Sequence, residues 1–450
     1  MSRVVVVGGG LGGTASAVRL AKLGHQVTLL ERRDELGGAL APVELDGYRW
    51  DADTASTTLP AVLRDLFRKS GRPLERELEL VPVPARVHHF EDGTELALPT
   101  GSRGDQLDAV DAALGMGLGR QWVDHVHGHA DAWDLLRRSV LERPWSAADA
   151  DDATRTLLRT RVSLRRKVHR ELRDERLREL ALLPSRLEGQ DPRDVPWWVG
   201  TWSYVEQNFG VWTVPGGMGL LVEALGHRLD ERRVDVRLGT TVRDLRVSGG
   251  AVTGVVTDAG ALDAEVVVVA IEPRRLPVLA PFKDRSMPAI PPTLVHLGLE
   301  GDVPDLPPEV VLHGDPTLVV RTTGTAPPGG AAWTVLARGL VSQDVVVDLA
   351  HRGLDVRDRV RVRVDRTPRD QVEQLAGSSY GVRWQGRATL ERTLGRPPIE
   401  GLLLAGASAT IGAQLPLVGL TATVVAERLG SAGPRAGGGA PDPSRPTPRP

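Results

Sequence analysis

The chain has 450 residues, of which 41% are hydrophobic and 25% charged, with a formal net charge of −2. It is long enough for two intimately packed domains and has no charge excess that would draw it to nucleic acid. It contains no cysteine, which excludes disulfide staples, thiol nucleophiles, cysteine-paired redox relays and cysteine-rich metal sites.

Val4–Val7 reads as a strand buried on both faces and is too short for a secretory signal, so the expected location is cytoplasmic. A glycine turn follows, then a helix over Thr14–Leu23 closed by Gly24, then a strand over Gln26–Leu30, which together make a βαβ unit. A helix is expected around Leu59–Lys69, and a hairpin from Val87–Phe90 and Glu95–Leu98 about Asp92-Gly93. Leu157, Leu164, Val168 and Leu172 fall near one face of a long helical region. Arg159, Arg161, Arg165, Arg166, Lys167, Arg170 and Arg173 crowd the rest of it. Such a helix either rests on the core with a solvated basic face or touches an anionic membrane surface. His125, His127 and His129 alternate as strand neighbours do, but without further ligands they are read as polar residues, and no metal site is expected.

Leu220–Arg232 reads as a helix, followed by strands at Val234–Leu238, Val242–Val247, Val252–Asp258 and Val266–Ile271. A strand-rich stretch runs from Leu294 to Leu340. Gly401–Ala426 lacks charge, yet Gly406, Gly412, Pro416 and Gly419 divide it into a strand, a loop and a buried helix rather than a membrane span. Residues 431–450 have the composition of a disordered tail.

Gly8-Gly9-Gly10-Leu11-Gly12-Gly13 satisfies G-x-G-x-x-G between a strand and a helix. Gly8 allows the tight turn, Gly10 lets backbone approach a pyrophosphate, and Gly13 lets helix and strand pack closely. Glu31, at the end of the second strand, supplies the carboxylate that accepts from a ribose 2′-hydroxyl. Beyond it, Arg32-Arg33-Asp34-Glu35-Leu36-Gly37-Gly38 resembles the N-terminal signature of the amine oxidase and phytoene desaturase superfamily. Asp46-Gly47-Tyr48-Arg49-Trp50-Asp51 and Thr58–Phe67 are similar to a segment of carotenoid desaturases, although Asp53 stands where those enzymes usually have glycine. Gly210-Val211-Trp212-Thr213-Val214-Pro215-Gly216-Gly217-Met218, Gly239-Thr240-Thr241-Val242, and Gly406-Ala407-Ser408 with Gly412–Gly419 extend the likeness. It covers most of residues 1–75, 205–275 and 400–429, and the middle region matches only loosely. The chain is also short for a bacterial phytoene desaturase, which points to a trimmed or altered cavity.

The resemblance implies an α/β fold in which a Rossmann-type FAD-binding domain is interleaved with an α+β substrate domain. The FAD-binding parts would be residues 1–80, 211–275 and 385–430, and the substrate parts 81–210 and 276–384. FAD would lie against Gly8, Gly10, Leu11, Gly12, Gly13, Glu31, Arg32, Gly37, Gly38, Val242, Gly406, Ala407, Leu415 and Pro416. Trp202, Trp212, Pro215, Gly216 and Gly217 are expected along the cavity for a hydrophobic, isoprenoid-like substrate. Asp51 and Asp53 are candidates for an acid–base pair, and no residue stands out as an obligatory base. A peripheral contact with the inner face of a membrane is left open. Two other readings of the same scaffold are an amine or amino-acid oxidase and a non-catalytic lipid carrier resembling the Rab GDP-dissociation inhibitors.

Overall fold

The computed structural model describes residues 1–283, 286–390 and 399–432. Its centre is a five-stranded parallel sheet in the order 402–404, 266–269, 3–7, 26–30, 235–237. Val4–Val7 pair with Val266–Val269 on one side and Val27–Leu30 on the other. Val4 and Val6 face the helices Leu11–Lys22, Leu220–Glu231 and Leu415–Leu429 while Val5 and Val7 face Leu245, Val252 and Val255 on the other side, so the central strand can be all valine, and Val4–Val7 are each 2% exposed or less. The helix Leu11–Lys22 returns the chain between the first two strands, and Gly24, at φ +92°, ends it. Its closing bonds run from Gly24 N–H to Ala21 and from His25 N–H to Leu20, the pattern of a left-handed glycine cap.

A second sheet of seven strands runs in the order 360–366, 293–300, 330–338, 317–321, 309–312, 85–89, 95–99. All its pairings are antiparallel except that between 309–312 and 85–89. A small meander, Val242–Ser248, Ala251–Thr257 and Gly260–Asp263, sits beside the parallel sheet. Its third strand had no sequence signal, because Gly260-Ala261-Leu262-Asp263 is too short and mixed to alternate.

The long basic helix expected around 157–172 is instead two helices, Asp152–Leu158 and Leu164–Glu171, followed by a third, Glu175–Leu187. The break has a local cause. Ser163 accepts the Arg166 N–H and starts a new helix, and Leu172 is extended, leaving Asp174 to cap the next. The seven basic residues therefore do not form one continuous face. The three histidines are also not on a strand. His125 and His127 belong to the helix Leu118–His127, and His129 caps the next one. His125 is buried against Glu171, His127 is exposed, and among the described residues no group of side chains is arranged to hold a metal ion.

Gly401–Leu429 divides as expected into the strand Leu402–Leu404, one turn of 3₁₀ helix and the helix Leu415–Leu429. No described helix is long and apolar enough to cross a membrane. Of the tail expected at 431–450, residues 433–450 lie outside the described residues, and Ala432 N–H still bonds to Leu23 O.

Candidate functional site

One cavity of about 610 Å³ begins at the carboxyl end of the parallel sheet and runs inward to the seven-stranded sheet. At the outer end its wall is mostly backbone. Gly8, at φ +106°, turns the chain off the first strand, and a Cβ on Gly10 would meet nothing nearer than 3.9 Å. Gly10 also starts the helix Leu11–Lys22, whose first turn has no capping side chain. Its leading N–H groups are thus left to a ligand, and a helix N-terminus favours an anion there. Gly12 and Gly13 serve packing instead: added Cβ atoms would lie 2.6 Å from Gly406 N and 1.9 Å from Gly8 O. Glu31 is fixed by the Gly9 N–H at 2.6 Å and the Arg33 N–H at 2.9 Å, one to each carboxylate oxygen, and keeps lone pairs free for hydroxyl donors.

Arg32, Gly37, Gly38, Val242, Gly406, Ala407, Leu415 and Pro416 also reach this cavity, together with Gly8, Gly10, Leu11, Gly12 and Glu31. Gly13 does not line it, because its role is contact with Gly8. The helix Leu415–Leu429 presents a second N-terminus without a side-chain cap. Two open helix starts and a glycine wall suit a long anionic dinucleotide, and the same wall with side chains would not admit one.

The inner end is built from side chains. Arg86, Glu206, Arg321, Asp53, Tyr380 and Glu188 come from six separate segments. Arg86 pairs with Glu309 and, at 3.2 Å, with Glu206. Arg321 holds the other Glu309 oxygen at 2.9 Å and lies 3.9 Å from Asp53. Tyr380 donates its hydroxyl to Asp53 at 2.7 Å. Facing both arginines, the Glu309 carboxyl is held down at about 2 despite its burial.

Residues 11–413 match the family model of flavin containing amine oxidoreductases. The chain belongs to that family. It is 29% identical to a hydroxyneurosporene desaturase of Cereibacter sphaeroides over 95% of this chain and 97% of that one. It is 27% identical to a phytoene dehydrogenase of Streptomyces griseus, over 97% and 96%. Among solved structures, a putrescine oxidase aligns with a TM-score of 0.68 at 17% identity over 95% of this chain and 97% of its own. A cyclohexylamine oxidase from Brevibacterium oxydans aligns at 0.63 and 18%, over 95% and 99%. The protein is therefore a flavin-containing oxidoreductase. Its α/β fold is the one expected.

Within this flavoprotein scaffold, five residues expected along the substrate cavity sit elsewhere. Trp202 is 7% exposed and packs on Trp133 in a helical cluster. Trp212 turns outward, its indole N–H bonded to Phe209 O and its ring near Arg64. Pro215, Gly216 and Gly217 form the turn before the helix Leu220–Glu231, and a Cβ on Gly217 would strike Asp51 at 2.9 Å. The strand Val211–Thr213 reaches the cavity through Val211 alone. Trp202 is thus a core anchor, and Trp212 lies outside the core. A tryptophan-rich segment beside a glycine turn carries the same pattern in either setting, so the sequence did not separate them.

Asp51 and Asp53 do not make an acid–base pair. Asp51 accepts the Met218 N–H at 2.7 Å and the Gly219 N–H at 3.4 Å, fixing the turn beneath the site, and burial raises its pKa. Asp53 alone lines the cavity. Arg86, Glu188, Glu206, Arg321 and Tyr380 were missed. Each is a lone polar residue in its own segment, and only the fold brings them together.

Proposed function

We propose that this protein is an FAD-dependent desaturase that removes hydrogen from neighbouring carbons of a hydrophobic, isoprenoid-like substrate. The observation that carries this reading is the continuity of the cavity, with dinucleotide-sized backbone walls at one end and a chamber lined by side chains at the other. The names of the full-length relatives support the substrate class.

FAD, when bound, supplies the hydride acceptor, and the protein supplies orientation and a dry setting. In this reading the N–H groups of Leu11 and Gly12 would hold the pyrophosphate, Glu31 would accept from the adenosine ribose, and residues 240–243 would line the adenine end. Gly37 and Gly38 would line the cofactor's path, and their φ angles of +120° and +57° explain why glycine stands at both. The N-terminus of the helix Leu415–Leu429, which reaches the cavity through Leu415 and Pro416, would favour negative charge on a bound flavin.

A peripheral membrane contact would deliver such a substrate. Ile290 and Leu340 are 63% and 70% exposed. Ile290 lines an open groove whose arginines are matched by carboxylates, Arg186 pairing with Glu179, Arg193 with Asp191 and Arg383 with Asp194, so the contact would be apolar rather than electrostatic. Cosedimentation with phosphatidylcholine vesicles that persists at high salt is the expected result, and failure to cosediment with any vesicle would remove the contact.

The functional test is anaerobic. The purified holoprotein is mixed with a panel of acyclic isoprenoid polyenes in detergent micelles, and the flavin absorption is followed. Bleaching by a polyene supports the desaturase. Bleaching by amines alone, with hydrogen peroxide released in air, would make the protein an amine oxidase, a reading that the carboxylates of the inner chamber favour.

A further inference from the structure

Among the described residues, Glu188 is the one carboxyl of the inner chamber that no arginine hydrogen-bonds or pairs with. It follows the last residue of the helix Glu175–Leu187, lines the cavity, and approaches the loop that precedes the helix Leu415–Leu429. A Cβ on Gly412 would lie 3.4 Å from its Oε2. Its Oε1 and the Oε1 of Gln414 are both buried without a hydrogen-bond partner among the described residues. A carboxyl left so underprovided costs stability, because its charged form has lost water and gained little in return. Burial accordingly raises it to about 7, against smaller downward pulls from the Gln414 amide and the Arg338 guanidinium.

The groups facing Glu188 are few. Arg338, from the strand Gly330–Arg338, is occupied by Leu187 O and Ile290 O and stacks on Tyr380 at 4.9 Å. Tyr380 is committed to Asp53, and Gln414 comes from the flavin-side loop. None of these can take a proton near neutral pH, since Arg338 is a cation and Tyr380 is pushed well above its ordinary range. Immediately after Glu188, Gly189 and Gln190 line the open groove on the far side of the wall. Glu188 and Gly189, neighbours in the chain, thus line the chamber and the open groove respectively.

We propose that Glu188 is the proton acceptor of the reaction, taking the hydrogen that does not leave as hydride. The inference rests on the desaturase reading. One C–H bond breaks with its electron pair, and the hydride passes to the flavin. The neighbouring C–H bond breaks, its electron pair forms the C=C bond, and its proton goes to a Glu188 oxygen. The substrate is oxidised by two electrons, the flavin is reduced by two, and the proton afterwards leaves through the Gly189–Gln190 side. A carboxyl that ionises near the working pH is matched to this task, and a positioned base contributes about 10²–10⁴-fold.

The test compares wild type, Glu188→Gln and Glu188→Asp as holoproteins of equal flavin content. Flavin bleaching by the polyene panel is timed across the range from acid to alkaline pH. The wild-type rate is expected to rise through about pH 7 and level off. Glu188→Gln is expected to bleach about 100-fold slower or worse with that limb gone, and Glu188→Asp to restore part of the rate with the limb displaced. Infrared spectra of the resting holoproteins give a readout independent of turnover. A protonated carboxyl band should fade as pH rises through about 7 in wild type and be missing from Glu188→Gln. Bleaching of Glu188→Gln at close to the wild-type rate on the same pH limb overturns the proposal alone, as does the absence of the infrared band. If no polyene bleaches the wild type, the substrate class and the proposal fall together.

Discussion

The two ends of the cavity are made from different materials. The outer end is backbone: glycines without Cβ atoms, open helix N-termini, and one carboxylate held by two amides. The inner end is side chain: arginines and carboxylates paired across strands far apart in sequence. Backbone walls recognise what all members of a cofactor class share, whereas side-chain walls set what is particular to one reaction. Substitutions at the two ends should therefore fail in different ways.

The largest effect is expected at the ionic end. Glu309→Ala would leave Arg86 and Arg321 buried, facing each other without their shared anion, and should cost about 3–5 kcal/mol by chemical denaturation. The same group gives an acid limb. Its folded pKa, about 2, lies below the ordinary glutamate value of 4.5, so the stability it contributes is full above pH 4.5 and is lost as pH falls toward 2.

Glu188 should act in the opposite sense. Its folded pKa of about 7 lies above the ordinary value of 4.5, so as pH rises from 4.5 to 7 the unfolded chain ionises first and the folded state loses ground. Glu188→Gln should consequently be more stable than wild type at mildly alkaline pH by about 3 kcal/mol. The difference should vanish below pH 4.5. Equal stability at alkaline pH would mean that the carboxyl is better satisfied than its contacts indicate.

At the backbone end, Gly12→Ala should cost about 1–3 kcal/mol, because the new methyl would meet Gly406 backbone rather than a yielding side chain. It should also weaken flavin binding, which equilibrium dialysis would report. Glu31→Gln should be milder for stability. It should reduce flavin affinity by about 10-fold, equivalent to one charge-assisted hydrogen bond of roughly 1.5 kcal/mol, while leaving the inner chamber and its pH behaviour intact.

The same division explains which parts of the molecule its sequence discloses. The glycine turn and Glu31 lie within one βαβ unit, so a single stretch of sequence carries both their spacing and their chemistry. Val4–Val7, the helix after them and Leu415–Leu429 were legible because local hydrophobic pattern and glycine punctuation agree there. The inner chamber was not, since Arg86, Glu188, Arg321 and Tyr380 meet only through long-range pairing of the seven-stranded sheet and its helical cover. Trp202 and Trp212 misled for a related reason. Their density is real, but burial direction depends on the helices packed against them, as Trp202 on Trp133 shows. The long basic helix failed at Ser163, where one hydroxyl cap outweighed a continuous periodic pattern.

The most direct test of a shared cofactor and substrate cavity is an absorption spectrum of the purified protein, taken before and after anaerobic addition of the polyene panel. A yellow protein whose flavin band bleaches with a polyene and returns on admission of an electron acceptor is the expected result. A colourless protein that neither takes up added FAD nor gains thermal stability from it would contradict the account at its root.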